Sequence, residues 1–518
     1  MRTVHNAQSP KSEAGSRVLT TATIVTGLSI AERALGFLYR IVLSRLIGAE
    51  GLGLYQVALS VFSVFITLGT GGIPITVSRL ITKSKAENNQ KGVSGAFTAG
   101  AALSLALTLP VCLLLGVFGD GFSFLFSDER CLPVFRILLI GLVFSALYAV
   151  VRGSFWGHKE FLTPSVLEIA EESVMVIAGV LLLQSVPDPL SGAKKAAWAV
   201  VVSYLFSFTA SAVCFLLRGG KISNPKNQLK PLLNATLPIT SVRVSGTLVN
   251  SAVAVLFPAM LVRTGVSNAE ALSLFGVVSG MALPILMIPS TVIGSLSLVL
   301  VPELAEDYYR KNNERLYKNI ERGMLISVLV ACFLLPFFYA LGEDLGRIAY
   351  SNALAGEMIM KSSPILLPMS ISMITTGMLN SLGFEKQTFI YYFVGAAGML
   401  LCVFLLPSVC GVYAYVIGMA ASFILTAALN LSLLFKKCRG FYRAHGKSLL
   451  SVFARCVIAI LPLSLVGKLL STLFKQFLGE LWAVFASGFA VLILTVVLWA
   501  VLKIFSPKLF KELFRKRR

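Results

Sequence analysis

Charged residues and histidines are scarce in this chain of 518 residues. Only 13% of the residues are charged and three are histidine, whereas 56% are hydrophobic. A soluble globular protein does not need so much apolar surface, so the composition excludes that class. The histidines are also far apart in the sequence, which argues against a catalytic histidine group or a histidine-based zinc site. They are His5, His158 and His445.

Cysteine motifs and nucleotide-binding motifs are missing as well. The eight cysteines are scattered, mostly in or beside apolar runs, and form no CxxC pair. They therefore predict neither a disulfide framework nor a cysteine metal site. The phosphate-binding GxxxxGK[ST] sequence of ATPases does not occur, so we expect no ATP hydrolysis by this chain. Together these absences predict a protein that is not an enzyme and has no cofactor or bound metal.

Long apolar runs are what the chain has in abundance. Runs of about twenty residues recur throughout, which is the length a helix needs to cross a hydrocarbon core of roughly 30 Å. A membrane β-barrel would instead show short segments of alternating polarity. We therefore predict an all-α polytopic membrane protein with about fourteen transmembrane helices. They are predicted at 18–46, 53–80, 93–117, 131–156, 164–186, 195–217, 231–262, 270–302, 318–342, 353–382, 388–406, 411–435, 449–473 and 478–504.

The placement of lysine and arginine predicts how these helices are oriented. The formal net charge is +21, and most basic residues lie in the tail 1–17, in the even-numbered loops and in the tail 505–518. Positive charge marks the cytoplasmic side of a membrane, so both termini are expected in the cytoplasm. The basic residues therefore indicate which side of the membrane each loop lies on. We expect the protein to contact the lipid bilayer and not nucleic acid.

The chain divides near its middle into two similar halves. The basic segment 218–230 separates them, and "EGLGLYQVALS" (50–60) resembles "EALSLFGVVSG" (270–280) in the spacing of its glutamate, leucines and aromatic residue. We predict an N-lobe of helices 1–6 (18–217) and a C-lobe of helices 7–12 (231–435), with helices 13–14 (449–504) appended. Two parallel repeats with a cleft between them are a known transporter plan.

Glycine and proline interrupt corresponding helices in the two halves. The stretches "LGTGGIP" (68–74) and "LPILMIPSTVIG" (283–294) lie in helices 2 and 8. Because proline removes a backbone hydrogen bond and glycine loosens packing, both helices can bend there. Ordinary helix packing in membranes explains the same residues equally well. The candidate hinge residues are Gly71, Gly72, Pro74, Pro284 and Pro289.

Several arginines lie inside apolar helices, where a charge costs at least a few kcal/mol. Arg33 and Arg40 are seven residues apart, so they share one helix face with Gly36 between them. Arg243 lies roughly 18 Å into helix 7 at 1.5 Å per residue. The arginine guanidinium can donate two parallel hydrogen bonds to phosphate oxygens. We therefore interpret these residues as a binding site for a diphosphate. The alternative is structural pairing with acids such as Glu32.

Acidic residues cluster in helix 5. Glu168, Glu171 and Glu172 are spaced by three and four residues and therefore share a side of the helix. Together with Glu32 they are candidates for coupling transport to Na⁺ or H⁺. Salt bridges to the arginines, or exposure at the inner surface, are the alternatives.

These same segments resemble a known family. "ERALGFLYRIVLSRLIGAEGLGLYQ" (32–56), "TGGIPITVSRL" (70–80) and "RGSFWGHKEFLTPSVLEIAEE" (152–172) resemble the stage V sporulation protein B family. That family belongs to the superfamily of multidrug and lipid-linked oligosaccharide exporters. Helix 1 is also similar to the lipid II flippases: Arg33, Gly36 and Phe37 match their pattern, and Tyr39 stands at their second cavity arginine. The resemblance implies two six-helix lobes in a V-shaped, MATE-like arrangement with two added C-terminal helices.

The resemblance also implies a function. We expect a flippase of the bacterial plasma membrane that moves an undecaprenyl-diphosphate-linked cell-wall or polysaccharide precursor by alternating access. Its expected substrate-binding residues are Arg33, Arg40, Arg243, Tyr39 and Gly36. We further expect a monomer, with cell-wall synthesis enzymes as candidate partners. The alternatives are a cation-coupled multidrug exporter and a membrane scaffold that acts through the tail 505–518.

Overall fold

A computed structural model describes residues 10–504, apart from the side chains at 10–23, 119–120, 122, 298–299, 442–445 and 447–448. Within this range the chain is helical and contains no β-strand. The helices are α1 (Pro10–Thr70), α2 (Ile73–Ala86), α3 (Gln90–Val117), α4 (Cys131–Gly157), α5 (Leu162–Leu182), α6 (Pro189–Leu217), α7 (Lys226–Arg263), α8 (Asn268–Phe275), α9 (Leu283–Leu286), α10 (Ile288–Tyr309), α11 (Asn313–Tyr350), α12 (Ala353–Ser362), α13 (Leu366–Ser381), α14 (Glu385–Leu405), α15 (Pro407–Cys410), α16 (Tyr413–Lys437), α17 (Arg439–Phe477) and α18 (Glu480–Val501).

The apolar helices confirm the multi-pass membrane protein. Thirteen segments among the described residues are long and apolar enough to cross a membrane. The first, Ile24–Ala86, contains two of the predicted spans, and the predicted helix 8 is divided into two segments. Helix α5 is absent from the thirteen because its three glutamates fall within any window that would span the membrane. With α5 included, the structure agrees with the predicted fourteen.

Some helix ends differ from the prediction. Helix α1 extends back to Pro10, through residues 10–17 that were expected to be a tail, and α17 begins at Arg439 within the basic stretch expected to be a loop. Lysine and arginine are good helix formers, so a helix that leaves the apolar layer need not stop there. Residues 1–9 of the predicted N-terminal tail and the whole predicted C-terminal tail, 505–518, lie outside the described residues.

The chain packs as two compact units. Unit 1 comprises Met1–Ala259 and Asn268–Gly276, and unit 2 comprises Met260–Ser267 and Val277–Arg518, within the described range. Most of α7 therefore packs with the first six predicted helices, and the division does not coincide with the segment 218–230. The division of the working protein into lobes 18–217 and 231–435 stays a prediction.

Unit 1 has a dense apolar core around the second part of α1. The helix is kinked at Gly48, whose φ of 69° suits glycine. Beyond the kink, Leu52, Phe62, Phe135 and Leu138 are all at most 1% exposed. Helices α4 and α6 pack against each other and against α1. This core fixes the positions of the polar residues described below.

The two segments that resemble each other in sequence are in contact. A Cβ added at Gly53 of α1 would overlap the backbone carbonyl of Leu272 in α8, and one added at Gly276 would overlap the backbone near Ala49. The backbones therefore approach too closely for any side chain at these two positions. Parts of the two similar segments, including Gly53 and Leu272, therefore pack against each other within unit 1.

Both predicted helix breaks are present. Helix α1 ends at Thr70, and Gly71 and Gly72 form a bend before α2. In the second region a π-helical turn at 276–282 precedes α9 and α10, each of which has a proline in its first turn. Proline is tolerated there because those N–H groups have no partner within the helix. Whether these breaks act as hinges stays a prediction.

Unit 2 is organised around the long helix α11, which packs against α12, α13, α17 and α18. Its Asp344 is 4% exposed, accepts a hydrogen bond of 2.7 Å from Ser471 and forms an ion pair with Lys475. Since Ser471 and Lys475 lie on α17, this buried carboxylate attaches the first of the two added C-terminal helices to the rest of unit 2.

The close approach at Gly53 generates a prediction about stability. We expect Gly53→Val to lower the melting temperature in detergent, because overpacking of this kind costs about 1–3 kcal/mol. Gly27→Val in the same helix is the control, since nothing lies within 4 Å of a Cβ there. Equal melting temperatures for the two variants would contradict this account of the contact.

Candidate functional site

An acidic cavity of about 250 Å³ lies inside unit 1. Helices α1, α4, α5 and α6 all contribute to its wall, while α4 and α5 make few direct contacts with each other. It contains all four acids that the sequence singled out. The residues that line it are Glu32, Ile66, Thr70, Ser145, Tyr148, Ala149, Arg152, Glu168, Glu171, Glu172 and Tyr204.

Close packing of α1 on α5 brings these acids together. A Cβ added at Gly36 would lie only 2.7 Å from Glu172 Oε1, so the glycine leaves room for this carboxylate. Further along the same two helices, Gly179 of α5 makes room for the ring of Tyr39. The two glycines hold α1 and α5 close enough for Glu32 to face the acids of α5.

Arg152 is the principal cation of the cavity. Its Nη1 lies 2.9 Å from Glu168 Oε1, and the two side chains are 28% and 22% exposed. The guanidinium also lies over the rings of Tyr148 and Trp156, 5.7 and 5.1 Å from their centroids. It interacts electrostatically with Glu32 on α1. One arginine thus links α4 to carboxylates on two other helices.

Two further features bear on what the cavity can bind. Tyr148 lines the cavity and is 6% exposed, and its buried hydroxyl has no hydrogen-bond partner among the described residues. Beyond the wall, Arg33 interacts with Glu32, and Arg40 interacts with Glu172. The cluster therefore brings four carboxylates together with three guanidinium groups. When all four acids are ionised, this leaves an excess of one negative charge, and the Tyr148 hydroxyl adds an oxygen that can contact a cation.

The arginines predicted to bind substrate are all in unit 1. Arg33 and Arg40 are exposed on α1, and Arg243 is exposed on α7. A Cβ added at Gly71 would lie 3.6 Å from Arg243 Cδ, so this arginine lies beside the break between α1 and α2. The role of these arginines in binding a diphosphate stays a prediction.

Tyr39 and Gly36 have a different environment from these arginines. Tyr39 is 3% exposed and packs against Gly179, so it contributes to the contact between α1 and α5. Gly36 faces Glu172 in the same contact. Both residues belong to the packing contact between α1 and α5, and their contact with substrate stays a prediction.

Sequence reasoning missed Arg152 and Tyr148. A signal was nevertheless present, because α4 and α5 are joined by only the four residues 158–161. Helices joined by so short a connection run antiparallel, so residues equally far from the turn lie at the same depth. Arg152 lies five residues before the end of α4, and Glu168 lies six residues after the start of α5.

Comparison with known proteins supports the resemblance seen in the motifs. The family described as "Polysaccharide biosynthesis protein" matches residues 18–308. Stage V sporulation protein B of Bacillus subtilis (strain 168) is 26% identical over 366 residues, which cover 68% of this chain and 69% of that protein. The lipid II flippase MurJ of the same organism is 22% identical over 412 residues, covering 72% and 73%.

A solved structure shares the fold. The structure of a lipid II flippase MurJ in an inward closed conformation matches with a TM-score of 0.67 at 14% identity, and covers 93% of this chain and 99% of its own. This likeness confirms the predicted exporter fold, including the two added C-terminal helices. At 14% identity, the shared fold says nothing about which substrate this chain transports.

The ion pair across the cavity generates a second prediction. We expect Arg152→Gln to destabilise the protein by about 1–3 kcal/mol, because it leaves carboxylates without their cation. Adding Glu168→Gln should recover part of this loss, since the double variant removes both partners. Melting temperatures in detergent measure both effects.

A surface arginine provides the control for that prediction. Arg310 forms an exposed ion pair of 3.3 Å with Glu306 in unit 2, and such pairs contribute little. Arg310→Gln should leave the melting temperature nearly unchanged. If Arg152→Gln behaved in the same way, or if the second substitution gave no recovery, Arg152 would not be the compensating charge.

Proposed function

The chain belongs to the polysaccharide biosynthesis protein family and is a membrane transporter of the flippase and exporter type, and on that premise we propose its substrate. We propose that it translocates an undecaprenyl-diphosphate-linked sugar, a precursor of cell wall or polysaccharide resembling lipid II, across the bacterial plasma membrane. It does so by alternating access, as a monomer with both termini in the cytoplasm. Enzymes of cell-wall synthesis that use the flipped precursor are its proposed partners.

The observation that carries this proposal is the set of exposed arginines on apolar helices of unit 1. Arg33 and Arg40 lie on one face of α1, and Arg243 lies on α7. A charge in the middle of a membrane is costly and persists where it has a functional or structural partner. Guanidinium groups bind phosphate oxygens in pairs, so three of them suit the two phosphates of the lipid carrier.

We further propose that the acidic cavity couples transport to H⁺ or Na⁺. When all four carboxylates are ionised, they outnumber the guanidinium groups of Arg152, Arg33 and Arg40 by one, and one bound H⁺ or Na⁺ would neutralise that charge. Movement of one charge across 100 mV is worth about 2.3 kcal/mol, enough to bias a transport cycle. The contact of Glu172 with Gly36 provides a route by which occupancy could alter the packing of α1, the helix that carries Arg33 and Arg40.

The acidic cavity itself favours a second candidate, the cation-coupled multidrug exporter. A cavity lined by four carboxylates and by Tyr148 and Tyr204 has the chemistry to bind a cationic amphiphile. The exposed residues Arg33, Arg40 and Arg243 argue against a multidrug exporter, because their positive charges would repel a cationic drug. The scaffold hypothesis rests on the tail 505–518, which lies outside the described residues.

Binding of substrate to variant proteins tests the main proposal. We expect purified Arg33→Ala/Arg243→Ala protein to bind an undecaprenyl-diphosphate-linked precursor at least about tenfold more weakly than the original protein, since charged hydrogen bonds are lost. Arg455→Ala is the control. This exposed arginine lies on an apolar helix of unit 2, with its Nη1 3.3 Å from the carbonyl oxygen of Leu502.

Two outcomes would contradict the diphosphate site. Equal binding by all three proteins would make the arginines structural. Weak binding of the precursor together with tight binding of a cationic drug would favour the exporter. Melting temperatures of the same samples show whether each variant is folded.

Coupling is tested separately in proteoliposomes. We expect Glu172→Gln to abolish the response of flipping to an imposed H⁺ or Na⁺ gradient, while exchange of precursor between leaflets without a gradient persists. Glu314→Gln, an exposed acid at the start of α11, should respond like the original protein. A Glu172→Gln variant that still follows the gradient would remove this residue from the coupling site.

A further inference from the structure

A second and larger cavity, of about 530 Å³, lies in unit 1 away from the acidic one. Three segments form it: the start of α3 (90–97), the end of α4 with its following turn (154–160), and the end of α6 with its following turn (215–223). All three belong to the membrane face that the charge distribution predicts to be cytoplasmic. No residue of this cavity takes part in the proposed substrate or coupling sites.

The rim of this cavity carries an excess of positive charge. Lys91 is exposed at the start of α3, and Arg218 and Lys221 are exposed on the turn after α6. Glu160 is the one acid among the described lining residues, and it is already paired with Arg218. Arg218 is held further by a hydrogen bond of 2.9 Å to the Thr163 hydroxyl. The two lysines are therefore available for an anion.

The backbone adds to this positive potential and holds the rim in place. Helix α3 begins at the cavity, and its first turn contributes a partial positive charge. Ser223 donates its backbone N–H to Thr98 Oγ1 at 3.1 Å and its hydroxyl to the carbonyl oxygen of Lys91 at 3.2 Å. The segment after α6, predicted to be a linker, is thus fixed against α3 and the cavity is preformed.

Three phenylalanines form the floor of the cavity, and polar residues such as Ser94, Ser154 and His158 also line it. The rings of Phe97 and Phe215 stack with their centroids 4.1 Å apart, and the guanidinium of Arg218 lies 5.3 Å from the centroid of Phe155. Gly219, with a φ of +75°, turns the chain back so that Gly220 packs against the Phe215 ring. A cationic rim over an aromatic floor is suited to a ligand with a phosphate beside apolar groups.

The surroundings indicate where such a ligand comes from. Leu217 is 81% exposed and Ile222 is 75% exposed, on the same turn as Arg218 and Lys221. Exposed leucine and isoleucine beside basic residues are typical of a segment at the membrane interface. Anionic lipids are attracted to basic residues at that depth.

We propose that this cavity binds a phosphate-bearing anion, with the headgroup of an anionic phospholipid as the source that the exposed apolar rim favours. Lys91 and Lys221 contact the phosphate, the start of α3 adds backbone N–H donors, and the phenylalanine floor receives the glycerol and upper acyl region. The bound lipid joins α3, α4 and the turn after α6, so it stabilises unit 1 from the membrane surface.

Thermal stability of the full-length protein in a neutral detergent tests the proposal. Dihexanoyl phosphatidylglycerol is titrated in one arm, dihexanoyl phosphatidylcholine in a second and inorganic phosphate in a third. We expect phosphatidylglycerol to raise the melting temperature. Lys91→Gln/Lys221→Gln should weaken its apparent affinity about tenfold or more, because two charged contacts are lost. Lys318→Gln/Lys386→Gln, which removes two exposed lysines of unit 2, should behave like the original protein.

Each outcome decides the proposal. A response to phosphatidylglycerol that requires Lys91 and Lys221 supports the lipid headgroup. An equal, lysine-dependent response to inorganic phosphate supports the phosphate site with a free phosphate compound as its ligand. An equal response to phosphatidylcholine, no response to either anion, or an unchanged response in the Lys91→Gln/Lys221→Gln protein would overturn it.

Discussion

The cost of placing charge in an apolar layer constrains the rest of this structure. Four glutamates lie within helices that are otherwise apolar enough to span a membrane. Inserting one isolated charge at the centre of such a helix costs about 3 kcal/mol of free energy. In unit 1, helices α1, α4, α5 and α6 surround one cavity, where Arg152 pairs with Glu168. This pairing offsets part of the free-energy cost. The arrangement of the helices and the arrangement of the charges therefore support each other.

Glycine makes that convergence possible. Gly36 and Gly179 let α1 lie directly against α5, with Glu172 and Tyr39 filling the space that side chains would otherwise occupy. Gly53 plays the same role where α1 meets α8. In lipid, helices associate through close packing and polar contacts because water does not drive them together. The small residues thus set which polar groups meet.

The sequence was sufficient to predict the fold, because apolar runs of membrane length and the distribution of basic residues each reflect the bilayer directly. It was sufficient for the acidic cluster too, since the spacing of Glu168, Glu171 and Glu172 puts them on one side of a helix. It was insufficient for Arg152, because the pairing of α4 with α5 depends on tertiary packing around a short turn. The aligned position of Tyr39 predicts a substrate contact, which stays a prediction, whereas its packing against Gly179 depends on tertiary structure that the sequence does not show.

The two units differ in the polar chemistry they place within their helices. In unit 2 the buried amide of Asn430 donates to Thr376 at 2.8 Å and to Thr375 at 3.3 Å, a neutral network between α16 and α13. The buried carboxylates of Asp307 and Asp344 in that unit lie near helix ends, each beside a basic residue. Unit 1 instead brings four carboxylates and Arg152 together in one cavity. The residues of the proposed anion and cation sites therefore all lie in unit 1, where charged side chains from several helices come close together.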